Sequence, residues 1–383
     1  MTEQIAYFDH GSTAPLRPCA LEAMEPYLVE KYGNASSVYS LGREARAALD
    51  KARDTTASIL KVQPREIIFT SGGTESIIQS IIGAYAGNRH KGNHILTTAF
   101  EHHAVHAVFD FLRDEMNADT EMIGVDENGL VHLDELKEKV RDDTILVSVM
   151  RVNNEVGTIQ DLESVVDFCS SKEILVHSDC VQAAGKIHVD FSEMPVDLGL
   201  ISGHKFGGPK GVGILFMREG TYLKSLCESS HEFGIRAGTE NVAGIIGMTA
   251  ALVEAAEQVD ELAERLTGFK AQLWECIREV ATDASINGDP DKTVPAVLNV
   301  RLPGCEGESI VIALDREGIA ASVGSACQAG VAEPSHVLSA MGLSKIEAFS
   351  SIRLSMGYTT TQKDVNRFIE VFPEIYNRAK SNV

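Results

Sequence analysis

From Arg43 to Met217 the chain switches repeatedly between two hydrophobic periods. Arg43–Leu60 carries the stripe of an amphipathic helix, and Glu66–Thr70 (EIIFT) is a short apolar run ended by Ser71-Gly72-Gly73. Thr74–Ala86 returns to a helical pattern, His94–Thr98 to a strand, and Ala104–Met116 to a helix. Thr144–Met150 (TILVSVM) is a near-continuous apolar strand, followed by helical Leu162–Lys172 and a further strand, Ile174–Asp179. Asp197–Ser202 and Val212–Met217 read as strands around a glycine-rich loop. Strands alternating with helices predict an α/β fold with a mainly parallel sheet covered on both faces. Ligands of such sheets sit at the carboxyl ends of the strands, so the polar residues just after each strand are the candidates for chemistry.

Past this region the pattern changes. Asn241 to about Val280 is helical, with charges from Glu254 onward. Beyond it, Ala296–Leu302 and Ser351–Met356 read as strands, and Gly307–Glu317 and Gln362–Lys380 as helices. This α+β pattern predicts a second, smaller domain with a boundary near residue 260. No internal repeat or low-complexity tract interrupts the chain.

Composition narrows the function classes. Hydrophobic residues make up 44% and charged residues 23%, ordinary for a soluble globular protein. There is no run of about 18 apolar residues, so no membrane span is expected. The start, MTEQIAYFDHGSTAP, lacks the basic and apolar regions of a secretory signal, and a cytoplasmic location is expected. A net charge of −21 repels phosphate backbones and argues against direct nucleic-acid binding, while it can steer basic protein partners. The seven cysteines are odd in number and none shares a C-x-x-C spacing, so neither a disulfide framework nor a zinc motif is expected.

Five segments carry candidate chemistry. In Ser202-Gly203-His204-Lys205, a lysine follows an apolar strand and precedes Phe206-Gly207-Gly208-Pro209-Lys210-Gly211. Partly desolvated there, its amine can have a lowered pKa and form a Schiff base, while Ser202 and His204 can donate to phosphate; a solvated surface turn is the plain alternative. Asp179, one strand earlier, suits the ring nitrogen of pyridoxal phosphate, or simply caps a helix. Phe69-Thr70-Ser71-Gly72-Gly73-Thr74 is a strand, a glycine turn and a helix start, which together aim amides at an anion without the spacing of a Walker loop. Glu101-His102-His103 offers an imidazole able to stack on a flat ring and move protons, or a pair of surface histidines; a third metal ligand at a known spacing is lacking nearby. Cys327 lies among small residues, Ser322-Val323-Gly324-Ser325-Ala326-Cys327-Gln328-Ala329-Gly330, as an exposed nucleophilic thiol would. Most other cysteines are expected to be buried and inert, Cys180 being the one to watch because it adjoins Asp179.

Together these segments resemble the cysteine desulfurases, a branch of the class V aminotransferase group of fold-type-I pyridoxal-phosphate enzymes. The resemblance runs from Tyr7-Phe8-Asp9 to Ser351-Ile352-Arg353 and is carried by FTSGGTES, EHHAV, VNNEVGT, the strand ending in Asp179 with Gln182 beyond it, SGHK, RAGT and GSAC. It implies a large domain, residues 15–259, with a mainly parallel seven-stranded sheet that binds the cofactor. Residues 1–14 and 260–383 would form the small domain with the cysteine loop. It implies that Lys205 holds pyridoxal 5'-phosphate, that Asp179 pairs with its ring nitrogen, and that Gln182 and Asn154 contact the ring hydroxyl side. Gly73, Thr74, Ser202, Gly203 and His204 would hold the phosphate, with Thr239 of a second chain reaching it across a homodimer interface. His102 would stack on the ring and help to move protons. Arg353 and Asn34 would bind the substrate carboxylate, and Cys327 would receive the sulfur of L-cysteine as a persulfide for an acceptor protein. No resident metal is implied, although Cys327 could transiently ligate a cluster.

The chain departs from the family pattern at Asp9-His10-Gly11-Ser12-Thr13-Ala14-Pro15, Arg151, Phe206-Gly207 and Glu228–Gly234. These changes spare the catalytic groups, alter the pocket rim and suggest a specialised desulfurase, for which sulfur supply to DNA phosphorothioate modification is one hypothesis beside iron–sulfur assembly. Two other readings stand beside it. A selenocysteine lyase or another enzyme of the class V group would ignore L-cysteine, and a non-catalytic partner-binding platform would refuse the cofactor.

Overall fold

The computed structural model describes residues 5–323 and 333–381. In chain order its strands are β1 (Ala6–Tyr7), β2 (Ile67–Thr70), β3 (His94–Thr98), β4 (Asp119–Ile123), β5 (Thr144–Ser148), β6 (Leu175–Asp179), β7 (Leu198–Ser202), β8 (Gly213–Met217), β9 (Ser285–Ile286), β10 (Val297–Arg301), β11 (Ile319–Ala320) and β12 (Ser351–Ser355). Seven of them form one sheet in the order β2-β8-β7-β6-β5-β3-β4. Only β8 runs against its two neighbours; the other pairs are parallel. The α/β fold and the mainly parallel sheet expected from the sequence are therefore present.

Strands β2, β3, β5 and β7 are buried along their whole length, as a sheet covered on both faces requires. Their apolar runs give the strands away in the sequence. Strand β4 (DTEMI) gives no such signal, because it is the sheet edge and carries polar, exposed side chains.

The helical stretch 242–280 is two helices, Val242–Glu257 and Val259–Val280, bent by 67° at Gln258. No single helix among the described residues is long and apolar enough to cross a membrane. Strands β9, β10 and β12 form a small antiparallel sheet, and β1 pairs with β11. The N-terminal segment thus joins the C-terminal part, and Asp9 bridges to Ser355. A single apolar cluster runs from Ala6 through β6 and helix 242–257 to Tyr376, so the two parts share a core.

Candidate active site

Five strands of the large sheet that run in one direction deliver polar residues to one edge. Strand β2 ends at Thr70 before the Gly72-Gly73 turn, β3 at Thr98 before His102, and β5 at Ser148 before Asn154. Strand β6 ends on Asp179 itself, and β7 on Ser202, with Lys205 in the tight turn 203–205 that follows. Asp179 lies opposite Leu200 in the β6–β7 register, which sets the carboxylate beside the strand that leads to Lys205.

Lys205 donates from Nζ to the carbonyl oxygens of Gly11 at 2.7 Å and Ser12 at 2.8 Å. Burial, with the nearby Arg353 cation, lowers its pKa to about 8, although Asp179 and Asp9 oppose the shift. Its amine is therefore neutral far more often than that of a solvated lysine. Asp179 is buried, and one carboxyl oxygen accepts from the Val181 amide at 2.8 Å. Burial raises its pKa, while His102 and Lys205 pull it back down. A buried carboxyl in this setting is stabilised as an anion by a protonated nitrogen placed against it.

His102 caps the helix His103–Met116: its Nδ1 accepts from the Ala104 amide at 3.1 Å. In the neutral ring the proton therefore sits on Nε2. Its pKa is lowered by desolvation, which outweighs the pull of Asp179. His204 faces Thr13, Nδ1 to Oγ1 at 3.1 Å, and burial pushes it down to about 4.

The glycine turn fits a phosphate. Gly72 has φ +147°, where a side chain is strained, and its Cβ position would lie 3.8 Å from Ser202 Oγ. A Cβ on Gly213, the start of β8, would come within 2.7 Å of Gly72 Cα, so the turn and the strand need bare backbone to approach each other. The 16-residue helix Gly73–Asn88 begins here with no side-chain cap among the described residues, leaving its first amides to an anion. Thr74 is exposed at that terminus.

Arg353, on β12, is buried and held by three hydrogen bonds: to Asn154 O at 2.8 Å, Asp9 Oδ1 at 2.8 Å and Ser12 Oγ at 2.9 Å. Its Nε and the Oδ1 of Asn154 are buried without partners among the described residues. Buried orphan polar atoms at a sheet edge ask for a polar ligand. Gln182 is engaged at both ends: its Nε2 donates to Gly11 O at 2.8 Å, and its Oε1 accepts from buried Lys186 at 2.9 Å. Lys186 is pushed down to about 7 by burial and by its cationic neighbours Lys205 and Arg353.

Two expected residues lie apart from this group. Asn34 is exposed in a turn where its Oδ1 accepts from the Ser36 amide, and Ser36 in turn meets His231. Thr239 is exposed in the segment next to Glu240, which pairs with Arg46. Among the described residues of one chain, neither is hydrogen-bonded to Arg353 or to the glycine turn. Cys327 lies outside the described residues. Of the other cysteines, Cys169, Cys180, Cys276 and Cys305 are buried and Cys227 is exposed. Burial drives the Cys180 thiol to about 12, which makes it inert beside Asp179.

Sequence reasoning missed the floor of the site. Gly11, Ser12 and Asp9 receive Lys205 and Arg353, and Lys186 braces Gln182. The signal available in the sequence is the departure from the family pattern at Asp9–Pro15, the strip that lies beneath the lysine.

Residues 6–368 match the aminotransferase class-V family. The chain is 42% identical to cysteine desulfurase IscS of Dictyoglomus turgidum, an alignment covering 98% of this chain and 95% of that one. The structure of a NifS-like protein superposes with a TM-score of 0.92 at 35% identity, covering 98% of this chain and all of the other. A structure described as SspA in complex with cysteine gives a TM-score of 0.81 at 29% identity, over 91% of this chain and 98% of the other. With family, relatives and site geometry in agreement, the chain belongs to the class-V aminotransferase family, among its cysteine desulfurases.

Proposed function

We propose that the protein is a pyridoxal-phosphate-dependent cysteine desulfurase that passes the sulfur of L-cysteine to Cys327 and then to an acceptor protein. The observation that carries this reading is the convergence of Lys205, Asp179 and Arg353 at one sheet edge with an uncapped glycine turn. Lys205 would hold the cofactor, Asp179 its ring nitrogen, and Asn154 and Gln182 its hydroxyl side. Gly73, Thr74, Ser202, Gly203 and His204 would hold its phosphate. When bound, the cofactor supplies an electron sink that lets the Cα proton of an amino acid leave.

The chain's own residues do the rest. Arg353, already braced by Asp9 and Ser12, keeps further N–H groups for the substrate carboxylate. Lys205 moves the Cα proton at Nζ, and its pKa of about 8 suits a base near neutral pH. His102, neutral with a proton on Nε2, serves as a second proton carrier. The thiolate of Cys327 attacks the substrate sulfur: the cysteine Cβ–S bond breaks, an S–S bond forms, and L-cysteine plus Cys327–SH yields L-alanine plus Cys327–S–SH. Thr239 and Asn34, exposed on the chain, would complete the sites of a partner subunit in a cytoplasmic homodimer. The acceptor is a scaffold for iron–sulfur clusters or an enzyme of thio-modification such as DNA phosphorothioation.

The test is alanine release from L-cysteine by the cofactor-loaded protein with a reductant present. Wild type should release alanine, and Cys327→Ser should not. If neither protein forms alanine from L-cysteine while the wild type acts on selenocysteine, the substrate assignment falls to the lyase reading.

A further inference from the structure

Helix His103–Met116 carries His103 and His106 one turn apart at its start. The fold brings a third imidazole, His336, to the same place from the start of the helix His336–Ala340. One ring nitrogen of each lies within 4.8 Å of the other two. The rings of His103 and His336 are 4.1 Å apart by centroid, and those of His106 and His336 are 5.3 Å apart. We propose that His103, His106 and His336 form a binding site for a divalent transition metal ion of the zinc type, separate from the cofactor site.

The hydrogen bonds choose the ligand atoms. His336 Nε2 lies 2.9 Å from Glu101 O, and His106 Nε2 lies 2.9 Å from Thr98 O. A carbonyl oxygen only accepts, so each Nε2 carries the proton and each Nδ1 carries a lone pair. Anchoring the far N–H of an imidazole on a backbone carbonyl is the usual support of a metal-bound histidine. The lone pair on His336 Nδ1 is buried and has no partner among the described residues, a cost that a bound ion removes. Burial pushes His336 down to about 4 and lowers His103, so both rings are neutral near pH 7, as ligands must be.

Zinc–nitrogen bonds of about 2.0–2.1 Å in a tetrahedron require the nitrogens to draw in to about 3.3 Å. The exposed His103 side chain has the freedom to do so. Three imidazoles leave one position open to water or to an exogenous ligand. The site ties residue 336 to the helix that starts beside His102, so occupancy would stiffen the entrance to the cofactor site. His103 and His106 are close in sequence, whereas His336 is distant, which is why spacing alone points to no metal.

The test is calorimetric titration of Zn²⁺ alone into the cofactor-loaded protein, beside His103→Ala, His106→Leu and Cys327→Ser. The expected result is one Zn²⁺ per chain, with the same affinity in Cys327→Ser and binding weaker by at least about ten-fold in each histidine variant. No zinc uptake, uptake unchanged in the histidine variants, or uptake lost in Cys327→Ser would each overturn the proposal. Should His106→Leu fail to fold, the exposed position His103→Ala decides alone. Co²⁺ in place of Zn²⁺ should give the visible bands of a tetrahedral nitrogen site in wild type and lose them in His103→Ala.

Discussion

Single residues of the site are set by burial more than by charge. Lys205 has its amine at about 8 because desolvation and Arg353 outweigh the two nearby aspartates. Uptake of pyridoxal phosphate by the cofactor-free chain should therefore rise with pH to a plateau just above pH 8, and not near 10.5; absorbance stopped-flow measures this. Lys205→Ala should lower alanine release by about 10³-fold, within the range lost with a positioned acid–base group. Lys186 gives a stability test. Its folded pKa is about 7 against 10.5 for the free side chain, so between these values the unfolded chain binds more protons. Stability should then rise with pH from about 7 to 10.5, by at most about 1.4 kcal/mol per unit. Urea unfolding of Lys186→Met across that range should lack this rise. The catalytic side chains are legible in the sequence because chemistry demands those residue types after strands. Lys186 is not, since nothing in its local sequence shows that its neighbours would bury it.

At the scale of elements, the stretch Glu228–Gly234 shows what a departure from a family pattern can mean. The sequence alone suggests a change in the pocket rim. The structure gives the stretch a bracing task instead: buried Glu232 accepts from both terminal nitrogens of buried Arg53, at 2.6 and 3.0 Å, and from the Phe69 amide of β2 at 2.7 Å. Glu232 and Phe233 both adopt positive φ, 44° and 56°, to make the approach. This ties the strand before the glycine turn to the helix Ser40–Leu60. Glu232→Ala leaves Arg53 buried and unpaired and should cost about 3–5 kcal/mol in chemical denaturation. Strands β2, β3 and β5 to β8 are legible because strands covered on both faces are apolar nearly throughout, whereas edge strand β4 and the two-residue β1, β9 and β11 have too few buried positions to form a pattern.

At the scale of the molecule, the division near residue 260 remains a proposal, since the apolar cluster crosses it and the N-terminal strand pairs with β11. What the sequence could not announce is that Asn34 and Thr239 stand away from Arg353 in the single chain. Large apolar side chains crowd the surface near Asn34: Leu28, Val29, Tyr32, Val38 and Tyr39 are all exposed, Val38 at 87%. A surface of that kind suits a subunit interface. Sedimentation should give a particle of about twice 41.4 kDa, and Val38→Asp with Tyr32→Asp should shift it toward the single-chain mass and weaken cofactor retention. A monomer that retains full activity would remove Asn34 and Thr239 from the site.

The most direct test of the account is a single turnover: cofactor-loaded protein mixed with L-cysteine without reductant, with alanine counted and the Cys327 peptide weighed. The account predicts one alanine per chain and one added sulfur atom on Cys327. Alanine formed while Cys327 gains no sulfur, or no alanine at all, would contradict it.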